Sequence, residues 1–297
     1  MVGGETIYFR GGTHTDVRVD LTNVSNVRFL AHPGERPVLD GGYVSGHFAV
    51  LRDNVSNIVF SGLTITRFDD SYGNGAIVGT GNVSNVVIEN NLFDSNGKDK
   101  LLDHGIYLGS GSSLGRLNGW TIRNNTFLNT AAGAIHSFGT NSAINVVIEG
   151  NRFIGGRWSI LISNEGESNW DIRNNTMVGA SDAGIAFGYY ARTVASPVSN
   201  IRVFHNIISL AAGSFPVRVD AVHAASGSFV DLGNVYWAGS APVIMWGYGP
   251  GLDAKLLHLD AYRSLTGQGG ASLQFDPGLS ASLTLPPGSP VAGWGAA

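Results

Sequence analysis

The sequence predicts an all-β solenoid, one chain wound into stacked coils of short parallel strands. Three observations predict it. A motif of the form apolar-x-x-Asn-x-apolar recurs along the chain. A second short strand follows each copy. No segment carries the 3.6-residue period of an amphipathic helix. The composition agrees, since 42 of the 297 residues are glycine and glycine with recurrent asparagine favours strands joined by many turns.

The motif reads "VIENNLF" (87–93), "TIRNNTF" (121–127), "VIEGNRF" (147–153), "DIRNNTM" (171–177) and "RVFHNII" (202–208), with a degraded copy "DLGNVY" (231–236). Its Asn falls at 91, 125, 151, 175, 206 and 234, at intervals of 34, 26, 24, 31 and 28. Intervals that vary without vanishing fit a solenoid with loops inserted on one face. Stacking would align Ile88, Ile122, Ile148, Ile172 and Val203 in one apolar column. Phe93, Phe127, Phe153, Met177, Ile208 and Tyr236 would form a second, and the six asparagines an internal amide ladder that satisfies buried turns. The ladder is structural. The "N-x-S/T" matches that recur with the repeat are turn chemistry. The whole chain, 1–297, is expected to be one domain, with a capping coil over about 1–23 and a closing segment over about 250–297.

The second strands are "GAIVG" (75–79), "HGIYLG" (104–109), "GAIHS" (133–137), "SILIS" (159–163), "AGIAFG" (183–188), "PVRV" (216–219) and "PVIMW" (242–246). Period-2 alternation turns Ile77, Ile106, Ile135, Ile160, Ile185, Val217 and Val243 inward. Their successors then face out: Val78, Tyr107, His136, Leu161, Ala186, Arg218 and Ile244. Two positions further on, the outward set includes Phe138, Ser163, Asp220 and Trp246. Tyr107 and His136 become stacked neighbours, while the direction of His104, at a strand start, stays open.

Charge is sparse, 13% of residues against about 25% in a typical domain. The stretch "NGKDKLLDHGIYLG" (96–109) is therefore conspicuous. Loops entering the second strands carry Asp69, Asp70, Lys98, Asp99, Lys100, Asp103, Arg157 and Asp182. Loops leaving them carry Arg116, Glu165, Glu167, Tyr189, Tyr190 and Arg192. That mixture of charge and aromatic rings suits a charged sugar polymer. A net charge of −4 with no basic block argues against nucleic acid, and no apolar run is long enough to span a membrane. With no cysteine, neither disulfides nor thiolate metal sites contribute. "MVGGETIYFRGG" lacks the features of a signal peptide and reads as an artificial start or as a cut into a longer chain.

The Asn doublets followed by "GIYL"-type strands resemble the right-handed parallel β-helix proteins built from I-x-N-N-x-F … G-I-Y repeats. The resemblance runs from about Thr6 to about Pro290 and includes the closing "FDPGLSASLTLPPGSPVAGWG". It implies a right-handed coil, with the "GIYL" strands forming one sheet whose outer face carries the cleft in polysaccharide-active members. The scaffold also serves lyases, epimerases, hydrolases, phage tailspikes and inert adhesins. A lyase or C5-epimerase acting on an anionic, uronate-containing polysaccharide is the leading expectation, with a secreted or cell-surface monomer as its setting. β-Elimination needs a neutralised carboxylate, a base and an acid. His136 and Tyr107 fit base and acid, with His104 beside them. Lys100 or Arg157 could neutralise the carboxylate, as could Ca²⁺ held by Asp99 and Asp103. Arg157, Arg218, Lys98, Phe138, Tyr189, Tyr190 and Trp246 are the candidate substrate contacts. Mannuronan epimerases carry Asp-Pro-His, whereas here Asp103 and His104 adjoin without the proline. Polygalacturonases carry an Asp pair, Gly-His-Gly and Arg-x-Lys. This chain has Asp69, Asp70 and "DHGI" but no Arg-x-Lys, so two-carboxylate hydrolysis is the weaker enzymatic reading. A non-catalytic sugar-binding or structural solenoid is the remaining alternative.

Overall fold

The computed structural model describes residues 2–69, 74–109, 115–138, 142–163, 166–188, 198–227 and 229–296. The local pattern of one coil explains the rest. Strand Val83–Glu89 alternates buried and accessible residues, so one face is committed to the interior. Asn90 then turns the chain with φ +58°, and the same corner is taken by Asn124, Gly150, Asn174, His205 and Gly233, all at positive φ. Asn and Gly are the residues that reach this left-handed region at least cost. The doublets "NN" and "GN" thus divide their work: the first residue bends the backbone and the second enters the ladder. Strand Leu92–Asp94 follows, then a loop, then strand His104–Leu108.

Among the described residues, repeating this coil builds three sheets of nine, ten and ten strands, each strand bonded to its equivalents in the neighbouring coils. Pairing is parallel throughout, except where Lys255–Leu257 closes the third sheet antiparallel to Ile244–Tyr248. The expected columns form in register. Ile88, Ile122, Ile148, Ile172 and Val203 pair in order. Phe93 pairs Phe127, which pairs Phe153, with Met177, Ile208 and Tyr236 continuing the line. The Phe93–Phe127 and Phe127–Phe153 rings stack at 4.7 and 5.0 Å. These side chains are buried completely or nearly so, each contributing about 1.5–3 kcal/mol of transfer free energy.

The amide ladder runs from Asn91 through Asn125, Asn151, Asn175 and Asn206 to Asn234. Each Nδ2 also donates to a carbonyl of the preceding coil, as Asn151 does to Ile122 at 2.9 Å. The Ser272 hydroxyl accepts from Asn234 N at the lower end. Two short helices, Ala221–Ser226 and Leu259–Thr266, lie near the C-terminal end. None of the helices among the described residues is long and apolar enough to cross a membrane.

One expected register is corrected. Val217 pairs with Ile244, not Val243, and Arg218 pairs with Met245. Both Val243 and Ile244 lie in the core. Trp246 therefore pairs with Val219 and packs inward, its ring 6.0 Å from Phe229 and 5.5 Å from Tyr262. The shared "PV" of 216–217 and 242–243 suggested an alignment one residue out of step.

Candidate functional site

The third sheet departs from strict alternation at each strand start, and this departure creates the site. A side chain at Gly105 would meet the Ala134 carbonyl at 2.7 Å and the Phe127 ring at 3.2 Å, so position 105 faces the core. Ile106 also faces the core. Two successive inward residues send both His104 and Tyr107 to the outer face, three positions apart. The same step recurs in the next strand, where Ala134 and Ile135 are core residues and His136 faces out. It recurs again at Trp158 and Leu161, which join Ala132, Ala183 and Ala186 in an outer cluster. The sequence signal was the small residue before each column isoleucine: Ala76, Gly105, Ala134, Ser159 and Gly184.

His104, Tyr107 and His136 come together as this geometry dictates. The His104 and His136 rings lie 4.2 Å apart, and the Tyr107 ring stands edge-on to His136 at 5.2 Å. Phe138 adds a fourth ring, 5.7 Å from His136, and packs with Val50, Val78 and Tyr107. An open face was expected here, yet His104, Tyr107 and His136 are only 2%, 6% and 5% exposed. The rings face outward yet are buried.

A continuous hydrogen-bond chain crosses three coils. Gly133 N–H donates to His104 Nδ1 at 3.0 Å. His104 Nε2 and His136 Nδ1 are 2.8 Å apart, and His136 Nε2 is 2.7 Å from Ser163 Oγ. Ser163 Oγ donates to the Ser137 carbonyl at 3.1 Å. Burial pushes His104 down to about 3. Burial, with the neighbouring His104, also holds His136 well below the usual imidazole range. Both rings are neutral near pH 7.

The charged loop is organised differently from its expected roles. Asn96 is buried, accepting from Phe68 N and donating to the Ile65 carbonyl. Asp103 Oδ2 accepts from Lys98 N and Asp99 N at 2.9 and 2.7 Å. Asp99 Oδ1 accepts from Leu101 N and Leu102 N. These carboxylates cap the loop's own turns. Among the described residues no group of three or more His, Cys, Asp or Glu side chains is placed to hold a metal ion, and the expected Ca²⁺ ligands Asp99 and Asp103 each direct a carboxylate oxygen to the loop's own N–H groups. Asp103 Oδ1 is buried with no donor. Burial raises this carboxyl to about 6, and a hydrogen bond shared with Asp69 adds to the rise. In its protonated form Asp103 donates to Asp69. Burial alone would raise Asp69, but hydrogen bonds from Asp103 and Lys98 outweigh it and hold Asp69 below the usual carboxylate range. The Asp69–Asp103 pairing was invisible in the sequence, because the partners lie in different coils.

Lys98 extends its ammonium to Asp69 Oδ2 at 3.1 Å and lies 4.9 Å over the Tyr43 ring. Lys100 is exposed at the loop tip. Arg157 bonds Asp182 at 3.2 Å and covers the Trp158 ring at 4.1 Å. Arg218 was expected to grip a distant sugar. It is fully buried, ion-paired to the same Asp182 and stacked 4.6 Å from Tyr248. Its charge is committed inside the protein. Asp70, Glu165, Tyr189, Tyr190 and Arg192 lie outside the described residues.

A family model described as "right handed beta helix region" matches residues 2–177. No curated protein matches the chain. Among solved structures, the catalytic unit of a GH87 α-1,3-glucanase from Streptomyces thermodiastaticus strain HF3-3 aligns at TM-score 0.50 and 14% identity, over 93% of this chain and 61% of that one. The chain thus spans about three fifths of that unit, and the likeness is one of fold. An alginate lyase from Paenibacillus sp. str. FPU-7 aligns at TM-score 0.49 and 16% identity, over 83% of this chain and 92% of that one.

Proposed function

We propose, for a chain that belongs to the right-handed β-helix family, that it acts on a uronate-containing polysaccharide as a lyase or C5-epimerase, outside the cell where such polymers occur. The observation that carries the reading is the meeting of Tyr107, His136 and His104 on the outer side of the third sheet. Acid–base groups held within ring contact by rigid strands are what proton removal next to a carboxylate requires. The first chemical step is common to both reactions. A proton leaves the carbon bearing the carboxylate. A lyase then expels the neighbouring oxygen, and an epimerase returns a proton to the opposite face. Lys98 and Lys100 are exposed, and in this reading Lys100, with Lys98 once released from Asp69, draws an anionic chain toward the sheet. The scaffold shared with the α-1,3-glucanase unit supports polysaccharide chemistry by analogy of fold. Productive binding requires Tyr107 and His136 to become accessible to the polymer.

The test is incubation with alginate, pectate and glycosaminoglycans. Ultraviolet absorbance reports an unsaturated product, and uptake of deuterium from heavy water reports epimerisation. Tyr107→Phe should lower turnover by about 10²–10⁴-fold, the usual size of a lost acid–base group. Wild-type activity in Tyr107→Phe would move the site elsewhere. Burial of the three rings, and the internal pairing of Arg157 and Arg218, favour a second reading: a scaffold that binds sugar without turning it over. Salt-sensitive binding of anionic oligosaccharides, with neither product nor isotope uptake, would establish that alternative.

A further inference from the structure

The hydrogen-bond chain through the two histidines has a direction, and its Gly133 end fixes it. At one end stands a peptide N–H, that of Gly133, which can only donate. At the other stands the Ser137 carbonyl, which can only accept. His104 Nδ1 must therefore be the bare nitrogen of its ring. In a neutral imidazole the proton then sits on Nε2. That N–H points at His136 Nδ1, 2.8 Å away, so His136 Nδ1 is bare in turn and its proton sits on Nε2. His136 Nε2–H donates to Ser163 Oγ, whose own proton goes to Ser137. Each link leaves one choice for the next. Reversal would set His104 Nδ1–H against Gly133 N–H and leave that buried donor without an acceptor. The Ser137 carbonyl would keep Ser163 N–H in either direction, so it is the Gly133 end that fixes the order.

Two roles are thereby closed. Ser163 is not a nucleophile activated by His136, because such a serine must give its proton to the ring, whereas here the ring gives to the serine. Nor does His136 offer a lone pair to substrate: its one bare nitrogen is occupied by His104 and its other nitrogen carries hydrogen.

We infer that His104 is a positioning residue that locks His136 as a neutral N–H donor, and that His136 Nε2–H hydrogen-bonds the substrate carboxylate in place of Ser163. This assignment rests on the uronate reading above and divides the labour within it. A neutral imidazole donor stabilises the developing enediolate charge without bringing a buried cation. Proton transfer falls to Tyr107. The Tyr107 oxygen, having first given its hydroxyl proton to bulk water, takes the proton from C5, the C–H electron pair forms the C4=C5 bond, and the C4–O4 bond breaks. The Tyr107 hydroxyl so formed gives that proton to the departing O4, which regenerates the deprotonated oxygen for the next turnover. Among the described residues, the polar groups facing His136 besides Tyr107 are His104 and Ser163, with Glu167 one hydrogen bond further on through Ser137.

Two-bond ¹H–¹⁵N correlation spectra of histidine-labelled whole protein near pH 7 test the lock directly. Both rings should be neutral and carry hydrogen on Nε2. A His136 protonated on Nδ1, or on both nitrogens, overturns the inference whether or not the protein is an enzyme. Substitution supplies the second arm. A glutamine at 104 can accept from Gly133 and donate to His136, whereas leucine can do neither. His104→Leu should lose the fixed His136 tautomer and lower turnover by about 10²-fold, and His104→Gln should restore both in large part. Equal turnover in His104→Leu and wild type would overturn the positioning role. His136→Gln keeps an N–H donor but no imidazole base. Turnover within about tenfold of wild type supports a donor, and loss as complete as in His136→Ala supports a base and refutes the assignment. If no uronate polymer is turned over by wild type, the reaction proposal fails while the tautomer spectra still decide the lock.

Discussion

Asn151→Ala isolates what the amide ladder contributes. Asn151 is fully buried, and its backbone lies outside the positive-φ region, so alanine adds no backbone strain there. Its Oδ1 accepts from Asn125 N at 2.9 Å and Asn125 Nδ2 at 3.1 Å, while its Nδ2 donates to the Ile122 carbonyl and to Asn175 Oδ1. The loss is uneven. Asn125 Nδ2 keeps the Ile88 carbonyl, and Asn175 Oδ1 keeps Asn151 N. Asn125 N–H loses its side-chain acceptor in a site that water does not reach. One orphaned buried donor costs about 1–3 kcal/mol, and the small void adds to it. A destabilisation of about 2–4 kcal/mol is expected, measured as a shift of the urea midpoint at unchanged m-value. Asn145→Gly is the control. Asn145 belongs to a second, exposed ladder, bonding Asn118 and Asn169, and its φ of +55° suits glycine. It should shift stability by less than about 0.5 kcal/mol. Equal shifts in the two variants, or none in Asn151→Ala, would refute the argument that buried amides, and not the repeat alone, hold the coils together.

Other outcomes follow from the charged groups. Asp103 is raised to about 6 in the folded protein, so its contribution is fully present below about pH 4 and lost as pH rises through 6. Asp103→Asn cannot ionise. It should match wild type at pH 4.5 and exceed it by about 1 kcal/mol at pH 7.5 in urea melts; a less stable variant at pH 7.5 would contradict the shared proton. Arg218→Ala strands Asp182 beside a buried cavity and should cost about 3–5 kcal/mol, read by the same melts. A near-neutral result would mean that Arg157 alone satisfies Asp182. His136→Ala removes the partner of both His104 and Ser163, so a lowered urea midpoint should accompany any loss of turnover; an unchanged midpoint would argue against the buried chain.

The sequence by itself determined the coil. Parallel, in-register stacking places each residue beside its equivalent in the next repeat. A motif such as "VIENNLF" therefore states its own neighbours: Ile88 beside Ile122, Phe93 beside Phe127, Asn91 beside Asn125. The adjacency of Tyr107 and His136 was legible for the same reason. What the repeat does not encode, only the tertiary structure decided. His104 reaches the outer face because Gly105 and Ile106 both turn inward, a break in alternation that depends on the close approach of the Ala134 carbonyl. The same break displaced Ile244 and Trp246 from their expected places. The Asp69–Asp103 and Asp182–Arg218 pairings join residues that no motif relates. The burial of the outward rings and the direction of the histidine chain are also non-local. Burial is set by every neighbour that a side chain meets, and a tautomer is set by donors and acceptors supplied from three successive coils, so neither property resides in the residue that displays it.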